Sequence, residues 1–284
     1  ERFINWPINI GLLSRFESSK NLEKTKNNLA KGLIDIVIGT HKLLNKDLKF
    51  KSLGLVIIDE EHRFGVRHKE KLKEIRSDID VLSLTATPIP RTLNMTLGGL
   101  RDLSIIATPP QDRLSIKTMH NEWSNISIKE TIMREIHRGG QIYFVHNHID
   151  SIKMIFSKLN KLLPEIKIEI AHGRMPENKL ESIMIDFYKR EFDLLLCTTI
   201  IESGIDIPSA NTIIINRADK LGLAQLHQLR GRVGRSSHQA YALLISPPKI
   251  SLNEDAQKRL EAIEMLEDLG SGFTLSNHDL EIRG

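Results

Sequence analysis

Apolar residues in this chain fall in short runs separated by helix-period stretches, almost from end to end. Ile34-Asp-Ile-Val-Ile38, Leu55 to Ile58 and Val81 to Leu84 predict strands of one sheet. Gln141 to Val145, Ile166 to Ile170, Asp193 to Thr198, Thr212 to Ile215 and Ala240 to Ile245 predict a second series. Strands alternating with helices in this way are the mark of parallel sheets built from crossover units. Between the two series, Ala107-Thr-Pro-Pro-Gln-Asp-Arg113 has the proline pair and polar residues of a linker. The stretch from Asp255 to Glu267 predicts an amphipathic helix, with Gly270 and Gly272 as its stop. The expected class is α/β in two lobes, without internal repeats or low-complexity tracts.

The ends of the strands carry the chemistry. In Leu55-Val-Ile-Ile-Asp59-Glu60-Glu61-His62 four consecutive apolar residues predict a strand covered on both faces, ending in carboxylates and a histidine. Ligands of open α/β sheets gather beyond the carboxyl ends of such strands. Asp59 there suits a Mg²⁺ ion held through its water shell, and Glu60 suits the task of orienting the water that attacks a γ-phosphate. A solvated acidic turn is the bland alternative. Thr85 and Thr87 stand just past another apolar run, where hydroxyls can touch neighbours across the top of the sheet.

Gln228-Leu-Arg-Gly231-Arg232-Val-Gly234-Arg235 puts arginines three residues apart, close to one helical face. Their planar forks suit phosphate oxygens, so Arg232 and Arg235 can serve as arginine fingers supplied by the second lobe. A basic helix end paired with surface carboxylates is the alternative. Thr198 to Pro208 follows a predicted strand. In it Gly204 allows close backbone approach to a ligand, and Asp206 can orient a ribose hydroxyl or a finger arginine. His172-Gly173-Arg174 reads either as a phosphate-facing loop or as an ordinary turn.

Composition narrows the classes. With 284 residues, 40% of them hydrophobic, the chain can build a core for each of two domains. No apolar segment is long enough to cross a bilayer and Glu1 to Trp6 is not a signal peptide, so a soluble, cytoplasmic protein without a membrane partner is expected. The single cysteine, Cys197, lies in an apolar run and reads as core, since one thiol makes neither an intrachain disulfide nor a metal cluster. The net charge of +4 is uneven: residues 1–111 hold 18 Lys and Arg against 13 Asp and Glu, and the remainder holds 22 against 23. Basic runs at Lys42 to Lys51 and Arg63 to Arg76 are compatible with phosphates or with a solvated face. The eleven histidines never show H-E-x-x-H spacing, which argues against a zinc hydrolase.

Together, the order and spacing of these motifs resemble the superfamily 2 helicases and translocases. Asp59-Glu-Glu-His62 looks like motif II, Thr85-Ala-Thr87 like motif III, Thr198 to Pro208 like motif V and Gln228 to Arg235 like motif VI. Asp59 to Val66, Thr85 to Asn94 and Gly222 to Arg235 are typical of two sister families, the RecG-type fork helicases and the bacterial transcription-repair coupling factors. Arg67-His-Lys-Glu70, Gly99 to Pro110 and Asp255 to Ile263 resemble the latter, and the likeness extends over essentially the whole chain.

The resemblance implies two RecA-like parallel-sheet lobes, the first truncated at its N-terminus, followed by a helical translocation hairpin. Residues 1–111 then belong to lobe 1, 112–250 to lobe 2 and 251–284 to the start of the hairpin. It implies an ATP-driven motor on double-stranded DNA that acts on stalled RNA polymerase and helps recruit excision-repair proteins. Carried over position by position, it gives catalytic roles to Asp59, Glu60, His62, Arg232 and Arg235, with Asp59 facing Mg²⁺. The same residues other than His62, together with Gly204, Asp206 and Gln228, would contact ATP. Thr85, Thr87, Arg259 and Arg283 would couple hydrolysis to stepping.

One element of the family's pattern is missing. No G-x-x-x-x-G-K-[ST] occurs in these residues, so the backbone cradle and lysine for the β- and γ-phosphates are not among them. The family keeps that loop upstream of the part matching Glu1, so the chain reads as a motor-core fragment that hydrolyses ATP negligibly on its own. A RecG-type branched-DNA helicase is the alternative enzyme, and a catalytically inactive DNA- or partner-binding remnant is the alternative of another class.

Overall fold

The computed structural model describes residues 3–13, 19–45, 47–61, 64–65, 79–85, 104–106, 114–202 and 207–265, with single residues 68, 70, 72 and 102. The chain divides into two compact units, Glu1–Ala86 and Thr87–Gly284. Each is described by itself. The linker expected at 107–113 lies outside the described residues, as do Gly270 and Gly272.

In the first unit β1 (Ile10–Leu13), α1 (Ser19–Lys31) and β2 (Ile36–Gly39) form a β-α-β turn whose strands pair in parallel. Close packing at Gly11 brings an added Cβ within 3.1 Å of Thr25 Cγ2 on α1 and 2.9 Å of Ile34 Cδ1 just before β2. β3 (Leu55–Asp59) pairs in parallel with β4 (Asp80–Leu84), placing Asp59 opposite Leu84. The three strands expected in one sheet are thus divided between two ribbons among the described residues. The expectation that β3 is covered on both faces also fails. Ile58 is buried, but Leu55, Ile57, Leu82 and Leu84 are 44–58% exposed on the other side. A continuous apolar run signals a strand suited to burial on two faces, and in β3 only Ile58 is buried.

The second unit has the two-faced burial the sequence suggests. Its strands are β5 (Lys117–Glu122), β6 (Gln141–His146), β7 (Ile168–Ala171), β8 (Leu194–Cys197), β9 (Ala210–Asn216) and β10 (Tyr241–Ser246). They form one parallel sheet in the order β5-β10-β9-β6-β8-β7. Helices α2 (Asn125–His137) and α3 (Ile149–Leu162) cover one face. There Ile128, Ile132, Ile152, Ile155 and Leu159 meet Ile142, Phe144, Leu194, Leu196, Ile214 and Leu243. Helices α4 (Glu177–Tyr188), α5 (Leu223–Arg230) and α6 (Glu254–Met265) cover the other, where Phe187, Leu226, Leu229, Leu260 and Ile263 meet Tyr143, Val145, Leu195, Ile213 and Leu244. Alternate residues of each strand serve opposite faces, as the pleat requires. The helix expected from Asp255 is α6, and it packs on this unit through α5, β5 and the turn Ala218–Lys220.

Two polar clusters tie the amino ends of these strands. The Gln141 amide donates to the carbonyls of Phe187 and Phe192 at 2.9 and 2.7 Å and accepts from the Ser209 hydroxyl. Glu135, 1% exposed, accepts from Thr212 Oγ1 at 2.5 Å and from Arg138. Buried polar atoms satisfied in this way specify one register, whereas unpaired they would each cost about 1–3 kcal/mol.

Candidate functional site

The carboxyl end of β3 is where the acidic pair stands. Asp59 is the last strand residue and is exposed; Glu60 follows with its N–H donating to the Leu84 carbonyl at 2.9 Å. Glu60 has φ +50°, in the left-handed region. A β-carbon there costs about 1–3 kcal/mol, and such strain gathers where a side chain must be aimed. The turn brings the Glu60 carboxylate to Thr85, whose Oγ1 donates to Glu60 Oε2 at 3.2 Å. The Ser83 hydroxyl likewise donates to Glu61 Oε2 at 2.9 Å. Residues that the sequence places 25 apart are therefore joined at one strand-end rim, as the expected hydroxyl contacts across the sheet require. His62 and Thr87 lie outside the described residues.

The donors at this rim are hard carboxylate and hydroxyl oxygens, the type Mg²⁺ takes, and Mg²⁺ commonly needs only one or two protein carboxylates beside substrate phosphates. Among the described residues no group of three or more His, Cys, Asp or Glu gathers into an all-protein metal cage. The donor chemistry fits a phosphate-shared Mg²⁺ and not a structural metal.

In the second unit the arginine segment departs from the expected helical face. Helix α5 ends at Arg230, capped by Gly231, so Arg232 and Arg235 stand on the turn that follows. Val233, fully buried, anchors that turn. Gly234 has φ +72°, and a Cβ on it would press to 3.1 Å from Ile116 Cγ1. The backbone conformation favours glycine there, and a Cβ would need the Ile116 side chain to shift. The half-buried Arg232 and exposed Arg235 flank the anchor, and Arg235 Nε donates to the Gly231 carbonyl at 3.2 Å. Gln228 is half-buried on α5. The buried arginine of the segment is Arg230, which sequence reasoning did not single out. Its Nη1 donates to the Ile263 carbonyl at 2.8 Å, and burial lowers its pKa to about 10, so it remains charged at neutral pH.

Arg259 donates from Nη2 to the Asp219 carbonyl at 3.2 Å, and its Nε is buried without a hydrogen-bond partner. Asp219 also grips Arg217 through two bonds of 3.0 and 2.9 Å, which raise the Arg217 pKa. Gly204, Asp206 and Arg283 lie outside the described residues. Gly173 faces open space and Arg174 pairs with Asp150 at 3.4 Å on the surface, as in an ordinary turn. Burial pushes the Cys197 thiol far up, consistent with core. At the carboxyl ends of β6 and β9 lies a group the sequence did not announce: His146, Asn147, His148 and Ser151 with Asn216. The sequence signal was a run of polar ring and amide residues directly after a fully apolar strand.

A family model described as DEAD/DEAH box helicase matches residues 1–96, and one described as Helicase conserved C-terminal domain matches residues 125–237. The transcription-repair-coupling factor of Escherichia coli (strain K12) is 60% identical over all 284 residues, which cover 25% of its length. That of Bacillus subtilis (strain 168) is 53% identical, again over the whole chain and 24% of its own length. The two domain matches indicate a superfamily 2 helicase core, and over its whole length the chain is similar to the transcription-repair-coupling factors. It spans about a quarter of the length of these relatives. Among solved structures, RecG bound to a three-way DNA junction matches with a TM-score of 0.76 and 37% identity over 98% of this chain and 37% of that one. Dbp5 of S. cerevisiae bound to RNA and ADP BeF3, with a TM-score of 0.65 at 14% identity over 98% of this chain and 74% of that one, shares the fold. Among the described residues no helix is long and apolar enough to cross a membrane.

Proposed function

We propose that this chain is the motor core of an ATP-driven translocase on double-stranded DNA, whose native-length polypeptide displaces stalled RNA polymerase and couples transcription to excision repair. The observation that carries the hydrolytic part is the Thr85 to Glu60 hydrogen bond at the end of a parallel strand, with Glu60 on a left-handed backbone. Glu60 orients the attacking water. A Mg²⁺ ion held by Asp59 through water would neutralise charge on the phosphates. Arg232 and Arg235 supply cationic donors from a turn made rigid by Val233 and Gly234, and phosphoryl transfer depends almost wholly on such placement. Gln228, Gly204 and Asp206 contact the nucleotide. Thr85 and Thr87 pass its state to the rest of the lobe, and Arg259 and Arg283 pass it to the segment after α6. His62 completes the acidic motif. We assign residues 1–111 to lobe 1, 112–250 to lobe 2 and 251–284 to the start of the translocation hairpin.

The identity to coupling factors over the whole chain supports this reading above a RecG-type fork helicase, which the 37% identical RecG structure keeps as the second reading. The test uses the native-length polypeptide purified from its source. ATP turnover that rises with duplex DNA and vanishes in Glu60→Gln is expected, together with release of RNA polymerase from a stalled complex. Turnover that persists in Glu60→Gln removes the assignment of Glu60. Unwinding of forked DNA without polymerase release favours the RecG-type reading, and DNA binding without turnover favours an inactive remnant. The 284-residue chain alone, lacking a G-x-x-x-x-G-K-[ST] loop, is expected to turn over negligibly.

A further inference from the structure

Strand β9 carries one residue more than β6 where the two begin to pair: Gln141 stands opposite Ala210 and Ile142 opposite Thr212, so the register skips Asn211. An extra residue of this kind makes a β-bulge, which interrupts the ladder and re-aims a side chain. The bulge is pinned from the β6 side. The Gln141 N–H donates to the Ser209 carbonyl at 2.8 Å, and the Ser209 hydroxyl donates to Gln141 Oε1. Asn211 is buried, and its Oδ1 accepts from Ser236 Oγ at 2.7 Å.

Ser236 directly follows Arg235 in the chain. Its hydroxyl donates to Asn211 and accepts from the His238 N–H at 3.3 Å, so one small group is used in both directions. On the other side of Arg235, Val233 is buried in the core and Gly234 packs against Ile116 and Ala240. Arg235 is therefore bracketed by an apolar anchor before it and a polar tether after it. Its side chain is exposed, so the backbone on either side, and not burial, sets where the guanidinium stands.

We infer that Asn211 and Ser236 are positioning residues for Arg235: the bulge aims the Asn211 amide at Ser236, and the hydrogen bond between them fixes the turn from which the guanidinium reaches a phosphate. This rests on the motor reading above. Phosphoryl transfer leaves the protein little to do but place charge, and misplacing a group by about 1 Å can cost on the order of a hundredfold in rate. The loss falls on turnover more than on nucleotide binding, because a finger arginine acts on charge that develops in the transition state.

The experiment compares Ser236→Ala, Ser236→Thr, Asn211→Ala and the Ser236→Ala/Asn211→Ala double variant in the native-length polypeptide with saturating duplex DNA. Ser236→Ala and Asn211→Ala should each lower kcat for ATP by about tenfold while KM changes by less than about twofold. The double variant should be no worse than the poorer single one, since both remove the same bond. Ser236→Thr keeps the hydroxyl and should retain about half of the parental turnover. Unchanged kcat in Ser236→Ala, a loss confined to KM, multiplying effects in the double variant, or a threonine as poor as alanine would each overturn the inference.

Amide exchange gives a readout independent of hydrolysis. In Asn211→Ala, which leaves the Ser236 to His238 bond in place, exchange across residues 231–239 should quicken while that of β8 stays at the parental rate. Unaltered exchange across 231–239 overturns the inference, and so does an equal quickening in β8, which would mean general loosening of the sheet. If Asn211→Ala does not fold, Ser236→Ala carries both readouts, because Ser236 is only half-buried. A parental polypeptide without ATP turnover would strike the motor reading, and the exchange arm would still decide whether Asn211 fixes the turn.

Discussion

Arg230, buried in the last turn of α5, donates to the carbonyl of Ile263 in the last turn of α6, 2.8 Å away. The helix that leads into Arg232 and Arg235 is thus fastened to the helix that leads out of the described structure. A helix carboxyl end leaves carbonyls without intrahelical partners, and a guanidinium is an apt donor to them. Arg230→Met keeps the apolar stem but removes the donor. It should lower the stability of the second unit by about 1–3 kcal/mol, read as a reduced urea midpoint with unchanged slope. A midpoint equal to that of the parental chain would mean that the bond contributes nothing net.

His227, on the same helix, has a pKa lowered to about 4, first by burial and then by the nearby Arg230 charge. Unfolded, it would titrate at its ordinary 6.5. Between these values the unfolded chain binds a proton that the folded one does not. Stability from this group is present above pH 6.5 and falls as pH drops from 6.5 towards 4, by about 3 kcal/mol in all. His146 adds a loss of the same sign. Denaturation curves between pH 4 and 7 should show a shallower pH slope in His227→Phe; an unaltered slope would show that His227 is not held neutral.

The open side of the β3–β4 ribbon predicts behaviour in solution. Leu55, Ile57, Leu82 and Leu84 form an apolar face on parallel strands, which are normally covered on both sides. The 284-residue chain should bind a hydrophobic dye and self-associate with rising concentration. Ile57→Lys/Leu82→Lys should reduce both while changing stability by no more than about 0.5 kcal/mol, as for ordinary surface substitutions. Weak dye binding by the parental chain would mean that this face is covered in solution.

What the sequence could and could not disclose follows from burial. β6, β8, β9 and β10 were legible because both their faces are buried, so apolar residues run without interruption. β5 was not, since Lys117-Thr-Met-His-Asn-Glu122 is an edge strand whose polar side chains meet water, and β1 is only four residues long with a glycine inside. The strand end at Asp59 and Glu60 was legible because the apolar run stops there, but an acidic pair also closes ordinary turns, so the role expected of it rested on the order and spacing of all the motifs. The left-handed backbone at Glu60 was not, because only the tertiary turn imposes it. The spacing of Arg232 and Arg235 alone suggested one helical face, and the helix ends before them at Gly231. The His146–Asn216 pair escaped because it joins residues 70 apart that only sheet register makes neighbours.

Gly140 shows how a distant register constraint can be tested through a single atom. A Cβ on it would lie 1.8 Å from Glu135 Oε1 and 2.7 Å from Glu135 Cδ, far inside contact distance. The carboxylate has little room to retreat, because it is buried and accepts from both Thr212 and Arg138. The bond from Thr212 joins α2 to β9, so displacing the carboxylate leaves Thr212 Oγ1, in the core of the sheet, without its acceptor. Gly140→Ala should therefore cost about 2–3 kcal/mol, although alanine is otherwise a mild replacement. In Glu135→Ala the carboxylate is gone, and adding Gly140→Ala to it should cost less than about 0.5 kcal/mol more, because the clash has no partner left. Additive losses in the double variant would place the harm of Gly140→Ala in the backbone at residue 140 and not in its contact with Glu135.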